Sequence, residues 1–90
     1  MVLKYLIHGK LWFDKVGGNT YHSFTITDLV NNIELHHSPI CYGYGDSYKF
    51  NAIRWLIAKG LWFEKDEFNH EKIREKIMMI KEENCLKREL

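Results

Sequence analysis

The sequence predicts a single α+β domain, in which a three-stranded antiparallel β-meander is followed by two helices packed on the sheet. Two observations lead to this prediction. Apolar and polar residues alternate through most of the first 38 positions, which is the period of half-buried strands, whereas the second half shows helical spacing. A chain of 90 residues can bury one small core and is too short for two domains. The predicted boundaries are 1–90 for the domain, 1–40 for the meander, 46–60 for the first helix and 69–88 for the second.

The first two predicted strands, 3–14 and 20–27, face each other across a glycine pair. Gly17 and Gly18 can both adopt the positive φ angles that a two-residue type I′ turn needs. This turn predicts that Leu11 lies opposite Phe24 and Phe13 opposite His22 on the apolar face. Alternation resumes at 33–38 in a third strand, which ends near Pro39 because proline cannot donate to a β-ladder.

The first predicted helix covers the apolar face of this sheet. Asp46 or Ser47 can cap its N-terminus, and Gly60 suits the left-handed position just past a helix. Its apolar residues follow the spacing of one helical face, at Ala52, Ile53, Leu56 and Ile57.

Asn69 is the predicted N-cap of the second helix. Ile73, Ile77 and Ile80 form a narrow apolar seam along it. The seam packs either on the first helix, giving a monomer, or on a second copy, giving a homodimer through the second helix. Because the seam lasts barely two heptads, the intramolecular packing is favoured.

Composition excludes several function classes. The net charge of +1 gives no field that would gather phosphate backbone nonspecifically, and it is not the acidic surface of a nucleic-acid mimic. We expect no membrane association and a cytoplasmic location, since the chain lacks a long apolar run and its N-terminus lacks the signal-peptide pattern. Cys41 and Cys85 have no CxxC partner, so we expect no metal, disulfide or cofactor.

The outer face of the hairpin is one candidate site. Trp12, Asp14 and Tyr21 share this face with Lys10, and exposed aromatic residues beside basic groups can stack nucleic-acid bases. The alternative is that the second helix or the 61–65 segment covers Trp12.

The segment 41–48, CYGYGDSY, is a second candidate site. Glycines ahead of a helix can turn free backbone N–H groups toward a phosphate, as in capture of a nucleotide signal. The spacing matches no known phosphate loop, however, and Asp46 places a carboxylate where the anion would bind. The simpler interpretation is a sharp corner in which Asp46 caps the helix and the tyrosines pack.

No arrangement of residues predicts catalysis, and we expect the protein not to be an enzyme. His22 lies on the predicted core face, where a hydrogen-bonded, half-buried imidazole is commoner than a catalytic one. Three tryptophans, five tyrosines and five phenylalanines exceed the needs of so small a core. Because interfaces favour Tyr and Trp, this excess indicates a protein-binding surface, with a merely aromatic core as the alternative.

Two segments carry a resemblance: WFDKVGGNTYHS at 12–23 and SPICYGYGDSY at 38–48. They resemble a group of small uncharacterised proteins of bacteriophages and other prokaryotic viruses, which show W-F-D-K-x-N-G-N-T-Y-H and later S-P-x-x-Y-G-Y-G-D. Here Gly17 replaces the usual Asn. The resemblance implies a viral accessory protein that acts in the host cytoplasm. Such proteins often bind a host protein or defence complex, so an inhibitor of an antiviral system, such as an anti-CRISPR, is expected.

The two motifs also define the predicted binding site. With strand order 1-2-3, the first turn and the end of the third strand lie at the same end of the sheet, so the motifs would be neighbours. Nucleic acid and a nucleotide signal remain alternative ligands to a host protein. The predicted site residues are Trp12, Asp14, Lys15, Asn19, Tyr21, His22, Tyr42, Tyr44, Asp46 and Tyr48.

Overall fold

A computed structural model describes residues 3–90 and confirms an α+β fold, with five strands and two helices. Short 3-10 turns at Glu64–Asp66 and Lys87–Glu89 complete it. The elements are β1 (Tyr5–Asp14), β2 (Asn19–Asp28), β3 (Ile33–His37), β4 (Cys41–Tyr42), α1 (Ser47–Ala58), α2 (His70–Lys76) and β5 (Ile77–Glu82).

The sheet is mixed, so the prediction of a purely antiparallel three-stranded meander is wrong. The strand order is β3-β2-β1-β5, and β4 pairs with β2 next to β3. The predicted antiparallel meander is present as β1, β2 and β3, whereas β5 runs parallel to β1. The meander is therefore one part of a wider sheet.

The hairpin between β1 and β2 keeps its predicted faces but not its predicted turn. Leu11 pairs with His22 and Asp14 with Asn19, a shift of two residues, which leaves every side chain on its face. The turn has four residues, and of its two glycines Gly18, with a φ of 73°, has the positive value. The Asp14 carboxylate accepts a hydrogen bond from the Val16 N–H at 3.1 Å. The backbone carbonyl of Asp14 accepts one from the Gly18 N–H at 2.7 Å. These two bonds favour the longer turn over the predicted type I′ turn.

The second predicted helix, 69–88, is wrong beyond its first turns. Asn69 does cap α2, accepting a bond from the Lys72 N–H at 3.2 Å, but α2 ends at Lys76. The chain then enters β5, where Ile77 is buried on the α1 side of the sheet and Ile80 is 42% exposed. Pairing with the open edge of β1 overrides the helical spacing. The helical seam needed for a homodimer through this helix is therefore absent from the described residues.

The core lies between α1 and one face of the sheet, as predicted. Tyr48 is packed directly on Gly9, because a Cβ at Gly9 would lie 2.4 Å from the tyrosine ring. Gly60 ends α1 with a φ of 74°, and the bonds from Gly60 N to Ile57 O and from Leu61 N to Leu56 O confirm its predicted role. The other core residues include Ile7, Leu11, Phe24, Ile26, Ala52, Ile53 and Leu56.

Within residues 3–90, neither α1 nor α2 covers the opposite face of the sheet. Its hairpin end is partly covered by the C-terminal segment, where the Cys85 N–H donates to the Leu11 carbonyl at 2.9 Å. The Lys87 ammonium lies over the Trp12 ring, 5.5 Å from its centre. The cover predicted for Trp12, the second helix or the 61–65 segment, is therefore replaced by the C-terminal segment.

Candidate binding surface

The hairpin and the 41–48 segment lie side by side, joined by β4. Tyr42 pairs with Tyr21 and Cys41 with His22 across β4 and β2. The Gly43 N–H extends this ladder by donating to the Thr20 carbonyl at 3.0 Å. The two motifs are therefore held together by backbone bonds, which fix their relative position.

His22 lies beneath this junction and is 1% exposed. Its Nδ1–H donates to the Gly43 carbonyl at 3.2 Å, and its Nε2 accepts a bond from the Asn51 side chain at 3.0 Å. Because a carbonyl oxygen only accepts and an amide nitrogen only donates, these two bonds place the ring hydrogen on Nδ1. His22 thus ties β2 to the loop and to α1, and its predicted place on the binding surface is wrong because both ring nitrogens face inward.

Above His22, aromatic rings form a continuous row on the outer face. Trp12 stacks on Tyr21 with ring centres 5.5 Å apart, and Tyr21 meets Tyr42 edge to face at 5.8 Å. Tyr42 is 67% exposed, and Tyr44, which follows it in the loop, is 74% exposed. We call the rings of Trp12, Tyr21 and Tyr42, together with the exposed Tyr44 of the adjoining loop, the aromatic surface.

Phe13 lies on the side of β1 opposite to Trp12, close to Tyr44, and was missed by the sequence reasoning. It lies on the apolar face of β1, as predicted, yet is 50% exposed. Tyr48, in the first turn of α1, already lies over Gly9, so the helix does not extend over the hairpin end. Phe13 and Tyr44 instead line a shallow groove of about 200 Å³, together with Gly45, Glu83 and Asn84.

The polar residues predicted around the turn have structural explanations. The Asp14 carboxylate holds the turn by its hydrogen bond to the Val16 N–H. Asn19 is the residue opposite Asp14 in the ladder between β1 and β2. Lys15 is exposed on the turn. Asp46 occupies the N-cap position of α1, but its side chain makes no capping bond. Its carboxylate lies instead 3.5 Å from Lys49 Nζ and 3.8 Å from Lys81 Nζ.

Tyr48 belongs to the core, so its predicted place in the binding site is wrong. It is 1% exposed, and burial, with a smaller contribution from Asp46, raises the pKa of its phenol to about 12. A raised pKa means that the associated stability is present below about pH 10 and is lost as the pH rises through about 12. A signal was available, because Tyr48, Ala52 and Leu56 recur every four residues on one helical face.

Cys85 lies beside β1 in the segment after β5, close to two carboxylates. The ligand atoms of Glu82, Cys85 and Glu89 are within 4.8 Å of one another, and Glu82 also contacts His8 Nε2 at 2.6 Å. Burial is the main cause that raises the pKa of the Cys85 thiol, and the two glutamates add to it. A raised pKa favours the protonated form of the thiol, which is less reactive than the thiolate.

We expect a thiol reagent such as Ellman's reagent to distinguish the two cysteines at pH 8. Cys41 is partly exposed, whereas Cys85 is buried and has a raised pKa, so Cys85 reacts on the order of tenfold or more slowly. A Cys41→Ser variant assigns the slow phase, and unfolding in guanidinium removes it. Equal rates in the folded protein would contradict the burial of Cys85.

No protein-family model, curated protein or solved structure matches this chain. The resemblance to viral proteins therefore stays a prediction. Within residues 3–90, neither helix has the length and apolar character needed to cross a membrane.

Proposed function

We propose that this chain is a viral accessory protein that binds a host protein through the aromatic surface and blocks it. The most specific form of the proposal is inhibition of a host antiviral defence complex, as an anti-CRISPR does. The observation that carries the binding role is the row of half-buried and exposed aromatic rings held by three paired strands. The two sequence motifs support the viral context, and both contribute residues to this row.

The chemistry of the surface suits a protein partner. Tyrosine and tryptophan offer large contact areas and lose little conformational freedom on binding. Tyr21 and Tyr42 are fixed further by the backbone bonds of β2 and β4. A surface that is rigid before binding loses less entropy in the complex, which favours affinity.

Nucleic acid is the second candidate, favoured by the lysines near Trp12. Lys10 is two residues before Trp12 in β1 and therefore lies on the same face. Lys87 lies over the indole ring. A base-stacking platform needs an open ring face, however, and Trp12 is already in contact with Tyr21 and Lys87. The net charge of +1 is also low for a single-strand binder, since such proteins carry a basic groove.

A nucleotide signal in the 41–48 segment has less support. Its phosphate would need free backbone N–H groups, but the Gly43 N–H donates to Thr20 and the Ser47 N–H to the Tyr44 carbonyl. Asp46 in the same segment is paired with Lys49 and Lys81, and its carboxylate offers no donor to a phosphate.

The proposal predicts that the immobilised protein retains a partner from a nuclease-treated lysate of a prokaryotic host through its tyrosines. Retention should fall about tenfold or more in a Tyr42→Ser, Tyr44→Ser variant, because two anchor residues are removed. Phe63→Ser is the matched control, since Phe63 is 68% exposed and lies near Lys4, at the other end of β1. Mass spectrometry then identifies the partner, which we expect to be a component of a defence complex.

Equal retention by the wild type and the double tyrosine variant would contradict the proposed surface. If nuclease treatment removes all retained material, and if retention from the untreated lysate falls steeply with salt, the nucleic-acid alternative is selected instead.

A further inference from the structure

A half-open cleft lies on the helical side of the sheet. Its residues Phe50 and Phe68 also line a shallow cavity that reaches Tyr42 of the aromatic surface. The cleft is bounded by α1, the turn before α2, α2 and β5, and its volume is about 490 Å³. This volume is in the range of small-molecule sites, roughly 300 to 1,000 Å³. The apolar residues that line it are Phe50, Ile53, Phe68, Ile73, Ile77 and Met79.

The aromatic wall of the cleft is open to a ligand. Phe50 and Phe68 lie with ring centres 6.0 Å apart and are 43% and 59% exposed. Ile53 and Ile73, by contrast, are buried at its base. An apolar ligand could therefore remove the two phenylalanine rings from water without any rearrangement of the core.

The rim of the cleft carries two acidic residues, Asp46 and Glu67, and two basic residues, Lys49 and Arg74. Its two acidic residues are already paired: Glu67 accepts a bond from Arg54 Nε at 3.2 Å, and Asp46 lies within 4 Å of Lys49 and Lys81. Arg74, however, has no carboxylate within ion-pair distance in residues 3–90. His70 precedes it by one helical turn and also lines the cleft.

We propose that this cleft binds a medium-chain carboxylate, with its acyl chain against Phe50 and Phe68 and its head group at Arg74. The guanidinium of arginine presents paired N–H donors that match a carboxylate. The apolar lining suits a chain of methylene groups, whose burial drives binding. The guanidinium of Arg74 and the apolar lining are thus complementary to the two ends of one amphiphile.

Binding of decanoate below its micelle concentration, measured by calorimetry, tests this inference on the full chain. We expect saturable binding at one site and a raised melting temperature. Decan-1-ol, which has the same chain without the charge, should bind more weakly. Arg74→Gln should weaken decanoate binding about tenfold or more, since a charged hydrogen-bond pair is lost, and leave decanol binding unchanged. Arg88→Gln, on the C-terminal 3-10 turn, is the charge-matched control.

A second variant tests the apolar end without disturbing the core. Phe68→Ser, at an exposed position, should weaken decanoate and decanol together. Decanoate binding that is unchanged in Arg74→Gln or in Phe68→Ser would overturn the proposal, and so would a lowered melting temperature or the absence of saturation. Tyr42 and Tyr44 remain in every variant, and decanoate binding is measured without the host partner, so failure of this inference and failure of the proposed function are separate results.

Discussion

Replacing Gly9 with alanine is expected to lower the free energy of unfolding by about 3 kcal/mol, the scale of overpacking in a tight core. The added methyl group would lie 2.4 Å from the Tyr48 ring, which is itself buried, so the ring or the strand would have to shift. The whole free energy of unfolding of a small domain is roughly 5 to 10 kcal/mol, so this loss is large. Urea denaturation followed by circular dichroism measures it.

The Tyr48→Ala background provides the control for this substitution. Tyr48→Ala alone should cost about 3 to 5 kcal/mol, because it leaves a cavity above Gly9. In that background the Gly9→Ala change should be nearly neutral, since its methyl group enters the cavity. An equal cost of Gly9→Ala in both backgrounds would show that the contact with Tyr48 is not the cause.

The second large effect is expected for His22→Leu, with a loss of about 2 to 3 kcal/mol. Leucine makes neither hydrogen bond, so the Gly43 carbonyl and the Asn51 amide are left without their partner in the interior. The 41–45 segment should also loosen, which raises the exchange rate of the Gly43 amide hydrogen that now donates to Thr20. Denaturation and amide hydrogen exchange measure the two effects.

His37→Leu is the matched control for this histidine. His37 is exposed on β3, so its replacement should change stability by less than about 0.5 kcal/mol. Unchanged exchange at Gly43 in His22→Leu would show that the imidazole does not hold the loop in place.

The parts of the fold predicted from sequence are those set by local pattern. The alternation in β1 and β2 assigned each side chain to its face, and Gly60 and Asn69 mark helix ends through their own backbone chemistry. The turn was missed because Asp14 forms hydrogen bonds that a glycine pair alone does not reveal. Strand β5 was missed because its conformation depends on the open edge of β1, a contact about 70 residues away in the chain.

The candidate site shows the same division. Alternation and strand order predicted that the hairpin and the 41–48 segment would be neighbours, and the backbone bonds of β4 bring them together. Pattern alone did not separate the rings that face solvent, such as Tyr42, from Tyr48, which faces Gly9. The cleft beside Arg74 was not foreseen, since it exists only because α2 is short and gives way to β5.

The central claim is that the two motifs act as one binding surface, and single substitutions in each motif test it most directly. Retention of the host partner should be measured for Tyr21→Ser in the hairpin and Tyr42→Ser in the loop, with Phe63→Ser as the control. Because these two rings are in contact, the account predicts that each tyrosine variant weakens retention. It also predicts that the binding free energy lost in the double variant is smaller than the sum of the losses in the two single variants. Unchanged retention in either tyrosine variant would contradict a single surface.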